Sequence, residues 1–207
     1  MKIYDRDIRR LLLNEIARKE EFISDPNCVV VHEMDVCFGC ARIDIAVING
    51  QIHGYEIKSE CDNLERLTSQ RDYYNKIFDT ITLVISEDHY FKAVEIIPKW
   101  WGLYCITKSN VGASLKIMRS PGKNNQIKAF YLTQVLWKEE LCELLKLNGL
   151  SKGIRNKTRY ELGKIASQRV ENKNIASFVR DKLKNRKSWK ALQLRQICDD
   201  LHLLQPN

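Results

Sequence analysis

Asp44 and the run Glu56-Ile57-Lys58 hold the side chains best suited to chemistry in this 207-residue chain. Residues two apart on a strand face the same way, so Glu56 and Lys58 share a surface. Carboxylates on two adjacent strands can hold a hard cation such as Mg²⁺ through oxygen. A neighbouring ammonium can orient or deprotonate a water, or offset charge growing on a phosphate. Metal, ammonium and water together are what phosphodiester hydrolysis needs. Further on, Gln70 and Tyr74 lie one helical turn apart on one face. Gln can bind a phosphate or a metal-bound water, and Tyr can stack or donate a hydrogen bond.

These groups meet only if their strands pair in the right register. Arg42 to Ile48 alternates, with Ile43, Ile45 and Val47 on one face and Arg42, Asp44 and Ala46 on the other. Asn49-Gly50 signals a hairpin, and Ile52 to Lys58 makes the return strand. A two-residue turn would pair Ile48 with Gln51 and put Asp44 and Glu56 on opposite faces. A three-residue loop, Ile48-Asn49-Gly50, pairs Val47 with Gln51 and sets Asp44 opposite Gly54, on the face of Glu56 and Lys58. Gly50 suits the left-handed position of such a loop. The chemistry requires this register or another of the same parity. Gly54 also leaves space above the sheet.

The flanking text supplies the scaffold. Ile8, Leu12 and Ile16 predict a helix over 5–21, and Val29-Val30-Val31 a strand over 27–34. Cys37 to Cys40 reads as a turn. A helix is expected over 63–78, and an almost wholly apolar strand, buried on both faces, over 80–86. Then come a helix near 88–97, a strand over 100–107, a short one over 115–118 and a helix over 133–147. Residues 149–153 read as a linker, followed by basic helices near 158–170, 173–185 and 188–204. This order implies an α/β sheet with helices on its faces, a core over 1–148 and a basic helical region over 149–207.

Charge is uneven along the chain. The net charge is +8, yet residues 151–207 hold 14 basic and 5 acidic side chains against 20 and 21 in residues 1–150. Such a block suits a polyanion, most often nucleic acid, although a solvated basic face reads the same way. The densest run is Lys182, Lys184, Arg186, Lys187 and Lys190, expected to touch a nucleic-acid backbone, with Trp189 inside it. Arg42, two residues before Asp44, is expected either on a phosphate or in a salt bridge on the strand surface. Seven cysteines, an odd number, fit reduced thiols in the cytosol better than a disulfide framework. Cys37-X-X-Cys40 is a single pair, short of the four ligands of a structural zinc site. No apolar run approaches the ~18 residues of a membrane-spanning helix, and the start lacks a secretory signal. A cytoplasmic location is expected.

Arg42-Ile43-Asp44, Gly54-Tyr55-Glu56-Ile57-Lys58-Ser59 and Gln70-Arg71-Asp72-Tyr73-Tyr74 together resemble the PD-(D/E)XK, or restriction endonuclease-like, nuclease superfamily. The last segment is similar to the Q-x-x-x-Y motif of its RecB-like branch. The resemblance covers roughly residues 5–107, with Ile43 in place of the Pro of the name. A small bacterial group of standalone members, some with a segment like Trp100-Trp101-Gly102, is also similar. The resemblance implies a restriction endonuclease-like mixed central sheet flanked by helices. It implies Mg²⁺ or Mn²⁺ on Asp44 and Glu56, a water assisted by Lys58, and support from Gln70 and Tyr74. A further acidic ligand is expected from the first helix, with Glu15 the best placed and Glu33 its competitor. The function so implied is a metal-dependent DNA nuclease, an endonuclease leaving a 5′-phosphate and a 3′-hydroxyl. DNA is the expected partner, and a second copy of the chain another. The alternative from a different class is a non-catalytic nucleic-acid-binding or regulatory module that keeps the fold.

Overall fold

Ile8, Leu12 and Ile16 are fully buried, so helix α1 (Asp5–Ile16) lays one apolar stripe on the sheet. In the computed structural model, which describes residues 3–110, 112–186, 191–194 and 196–197, the chain turns after Ile16 and adds a single turn, α2 (Glu20–Ile23), whose Phe22 is buried. The strands are β1 (Val29–Val36), β2 (Ala41–Ile48), β3 (Ile52–Lys58), β4 (Thr80–Ser86), β5 (Gly102–Ser109), β6 (Gly112–Arg119) and β7 (Ala191–Gln193). They form one seven-stranded sheet in the order β6-β5-β4-β3-β2-β1-β7. Neighbours within β3-β4-β5 are parallel and the rest antiparallel. The expected mixed α/β sheet flanked by helices is therefore present. The apolar run of β4, between β3 and β5, is buried on both faces.

Helix α1 and Phe22 cover one face, packing on Ile45, Val47, Tyr55, Ile57, Val84 and Tyr104. The other face carries α3 (Leu67–Tyr74), α4 (Tyr90–Ile96), α5 (Ala129–Thr133), α6 (Lys138–Leu147), α7 (Arg159–Arg169) and α8 (Asn172–Asn185). Leu67, Leu141, Leu162, Ile175, Val179 and Leu183 from these helices share a single core with Val31, Ala46, Ile81 and Leu83 of the sheet. The basic C-terminal helices are thus built into the core of the sheet.

Two predicted elements differ. The helix over 133–147 is split, because the Trp137 N–H is taken by the Glu140 carboxylate at 2.7 Å, which starts α6 afresh. In the helix expected over 188–204, Ala191–Gln193 is instead a strand, paired from Val29↔Gln193 to Val31↔Ala191. The open edge of β1 offers those three residues backbone partners that outweigh a weak helical period. Among the described residues no helix is long and apolar enough to cross a membrane.

Candidate functional site

The β2–β3 hairpin pairs Ile48 with Ile52, Val47 with His53, Ala46 with Gly54 and Ile45 with Tyr55. The loop is Asn49-Gly50-Gln51, one residue later than the loop expected from sequence. The register is shifted by two from the one expected, and the paired residues end at Ile45↔Tyr55, just short of Asp44. The Asn49 side chain sets this turn, its Oδ1 accepting the N–H groups of Gly50 at 2.8 Å and Gln51 at 3.1 Å. Gly50 does not take the left-handed φ expected of it. The Ile52 N–H is tied at 2.7 Å to buried Asp79.

The alternation of β2 does not run through Asp44. The β1–β2 ladder holds from Val29↔Ile48 to His32↔Ile45 and resumes at Met34↔Ile43, and between them Glu33 takes a φ of 53°. Ile43 packs with Ala46 and Ile48 on the helix-rich face, not with Ile45 and Val47. One left-handed residue reverses the sidedness of the ladder beyond it. Gly54 is then not open space: a Cβ there would stand 2.9 Å from Ile43 Cδ1 and 3.1 Å from the Phe78 ring.

At this irregularity Asp44 is held by the chain itself. Its Oδ2 accepts the Ile57 N–H at 2.7 Å and its Oδ1 accepts Arg9 Nη2 at 2.9 Å. Arg9 reaches over from α1 and also donates to Glu33 at 2.6 Å, to Asp5 at 2.6 Å and to the Asp44 carbonyl at 3.1 Å. Glu56 is 1% exposed. Its Oε1 accepts Lys58 Nζ and Gln70 Nε2, both at 2.7 Å, and its Oε2 meets Tyr74 Oη at 2.8 Å. The Tyr74 hydroxyl also lies 2.7 Å from the Arg42 carbonyl. The one hydroxyl proton is thus shared between the Glu56 carboxylate and that carbonyl.

The electrostatics follow from burial. Burial, then the charge of Glu56, raises the Asp44 pKa to about 7 against the pull of the Ile57 N–H, Arg9 and Lys58. Burial raises Glu56 as well, opposed by Lys58, Tyr74 and Gln70. Burial and the neighbouring Glu56 push the Tyr74 hydroxyl far above its ordinary value. For Arg9, burial works downward, but Asp5, Asp44 and Glu33 more than compensate and raise it.

Asp44, Glu56, Lys58 and Gln70 border an open cavity of about 710 Å³, walled also by Arg6, Arg42, Arg66 and Asp62. The fold thus brings together Asp44, Glu56, Lys58, Gln70 and Arg42, with Tyr74 behind Glu56. Glu33 lies on the wall, whereas Glu15, farther along α1, is not among the lining residues. The donor set does not fit a resident Mg²⁺ or Mn²⁺. Every carboxylate oxygen of Asp44 and Glu56 already has a protein partner, and among the described residues no three His, Cys, Asp or Glu side chains gather as metal ligands. Nor does Cys37 act as a thiolate, since burial lifts its pKa to about 12.

The basic run is mostly committed inward. Lys182 pairs with Glu143 at 2.8 Å, and Lys184 with Asp25 at 2.6 Å and the Asn49 carbonyl at 2.9 Å. Arg186, whose side chain is 3% exposed, holds Glu140 at 2.6 Å and covers the Trp137 ring. These three tie the C-terminal end of α8 to α6, the Trp137 turn and the β2–β3 loop region. Lys187 and Lys190 lie outside the described residues. The site residue that sequence reasoning missed is Arg9. Its one signal is its place four residues after Asp5, beside the buried stripe of α1.

A family model described as bacteriophage P4 protein cII matches residues 2–205. Protein cII of Enterobacteria phage P4 is 25% identical over 177 residues, which cover 86% of this chain and 66% of that protein. The chain therefore spans just under two thirds of this relative's length. The SPO1766 protein of Silicibacter pomeroyi, titled a protein of unknown function, superposes with a TM-score of 0.39 at 16% identity, covering 72% of this chain and 96% of that one. The family match corrects the reading as a PD-(D/E)XK nuclease, and with it the expected deoxyribonuclease activity. Matched along nearly its whole length, this chain belongs to the bacteriophage P4 protein cII family.

Proposed function

We propose that the chain is a non-catalytic nucleic-acid-binding module with a regulatory role. One observation carries the reading. The Asp44 and Glu56 carboxylates are neutralised from within, by Arg9 and the Ile57 N–H and by Lys58, Gln70 and Tyr74. Such a group braces the ends of β2 and β3 and keeps its charge internal. Arg6 and Arg66, exposed on the same cavity wall, have no carboxylate within 4.0 Å among the described residues and remain available to phosphate. The net charge of +8 favours a polyanion, with DNA as the partner. Kinship with protein cII of phage P4 favours regulation by binding over hydrolysis. The free thiols of Cys37, Cys40, Cys61, Cys105 and Cys142 accord with a cytosolic setting.

The test is fluorescence anisotropy with a labelled DNA duplex across a salt series, in Mg²⁺ and in EDTA. The expected result is an affinity that falls steeply with salt, is the same with and without metal, and leaves the DNA uncut. Absence of binding at low salt, or metal-dependent cutting, overturns the proposal.

A further inference from the structure

Lys182, Lys184 and Arg186, the described cations of the densest run, are each paired, and cations without a carboxylate partner lie elsewhere on the surface. Between Glu143 and Glu161 the chain holds Lys146, Lys152, Arg155, Lys157 and Arg159 and no acidic residue. This stretch is the end of α6, the α6–α7 turn and the start of α7. Lys152 and Arg155 are exposed and Lys157 half-exposed. Among the described residues none of the three has a carboxylate within 4.0 Å, whereas Lys182, Lys184 and Arg186 each have one. Glu161, the nearest acid in sequence, is occupied by the backbone N–H and hydroxyl of Thr158 at 2.7 and 2.8 Å.

The turn is also shaped. Gly149 and Gly153 take φ values of 76° and 71°, which bend the chain around a depression of about 530 Å³. Lys152, Lys157 and Arg169 stand on its rim, with Ile154 and Ile165 in the wall. Just beyond, Tyr160 packs on Phe38 with ring centroids 6.3 Å apart, and both rings are more than two-fifths exposed, at 54% and 42%. Phe38 precedes Gly39 and Cys40, which line the large cavity holding Arg6, Arg42 and Arg66. The basic turn, the aromatic pair and the arginine-bearing wall therefore adjoin one another.

We infer that the α6–α7 turn is a phosphate-backbone clamp for nucleic acid, in which Lys152, Arg155, Lys157 and Arg169 contact successive phosphates. This rests on the nucleic-acid reading above and gives it a location. Uncommitted cations gain the entropy of counterion release when they meet phosphate, whereas cations already in an ion pair must first give up their carboxylate. The exposed Phe38 and Tyr160 rings offer a stacking surface where the strand leaves the clamp.

The test compares the full chain with Lys152→Glu/Arg155→Glu/Lys157→Glu and with Lys92→Glu/Lys99→Glu/Lys116→Glu, an equal charge change at exposed positions elsewhere. The probes are a mixed-sequence labelled DNA duplex, its single strand, and vesicles rich in phosphatidylserine. The turn variant should bind DNA at least about tenfold more weakly, and its salt slope should be shallower by about three, at roughly 0.9 per phosphate contact. The control variant should stay within about threefold of the parent. Single changes, Arg155→Ala and Lys157→Ala, should each lower the slope by about one, and they serve if the triple change disturbs the fold by circular dichroism. A parent that binds DNA alongside an unaltered turn variant overturns the location alone, as does an equal loss in the control. A parent that binds no DNA, or binds only the vesicles, overturns the nucleic-acid reading and this inference with it.

Discussion

Arg9 Nη2 lies 2.9 Å from Asp44 Oδ1, joining the first helix to the irregular point of β2. Both side chains are only 20% exposed. Removing the cation leaves Asp44 and Glu33 facing each other without their shared donor. Arg9→Met should cost about 2–4 kcal/mol, because an uncompensated buried charge is worse than no pair. Asp44→Asn in the same chain should return part of that loss. Urea denaturation of the two single variants and the double variant measures the coupling. Strict additivity of the two losses would show that the pair is not a brace.

Asp44 also sets a pH dependence. Its carboxyl titrates near 7 in the folded chain and near its ordinary value of 3.8 when unfolded. Between those values the folded chain holds the proton more tightly. Its contribution is full below about 4 and is lost as pH rises through about 7, by a few kcal/mol in order of magnitude. Stability of the parent minus that of Asp44→Asn, followed from pH 4 to 8, should therefore decline. A flat difference would mean that Asp44 is ionised throughout.

Gly54→Ala tests the packing beneath the site. The new methyl would meet Ile43 Cδ1 at 2.9 Å and the Phe78 ring at 3.1 Å. A cost of about 1–3 kcal/mol is expected from overpacking. Ile43→Val beside it should recover some of this by removing the closest atom. Thermal denaturation of both variants decides the matter, and an unharmed Gly54→Ala would put the strand face elsewhere.

The basic run near the C-terminal end of α8 should behave as structure. Arg186→Ala removes a buried cation from Glu140 and is expected to cost about 3–5 kcal/mol, whereas Lys182→Ala, at a more exposed pair, should cost less than about 1 kcal/mol. Chemical denaturation separates the two. Equal small effects would return Arg186 to the surface.

Metal should matter little to the folded chain. Excess Mg²⁺ or Mn²⁺, or its removal with EDTA, should shift the thermal midpoint by less than about 1 °C, since a ligand bound to the native state alone would raise it by mass action. A rise of several degrees that Asp44→Asn abolishes would establish a cation at this pair.

Much of the scaffold is legible in the sequence because it is local. The triplet of Ile8, Leu12 and Ile16 marks a buried helix face, and the apolar run Thr80 to Ser86 marks a strand covered on both sides. Hairpin parity can be narrowed as far as Ile45, because side chains alternate with a period of two. The position of the loop cannot, since it depends on Asn49 folding its side chain over Gly50 and Gln51. The sense of the chemistry is hidden for a related reason. An Asp and a Glu-X-Lys look the same in sequence whether their charges are free for a metal or held by Arg9, Gln70 and Tyr74.

From the residues alone came the mixed α/β architecture, the strands that carry Asp44, Glu56 and Lys58, and the basic excess after residue 150. Only the folded chain decided which charges are paired. Arg9 finds Asp44 across 35 residues and Lys184 finds Asp25 across 159, while Arg155 and Lys157 have no carboxylate within 4.0 Å among the described residues. Periodicity reports which side of an element a residue occupies. It carries no information on what stands opposite once distant elements pack, and one left-handed residue at Glu33 is enough to reverse even the side.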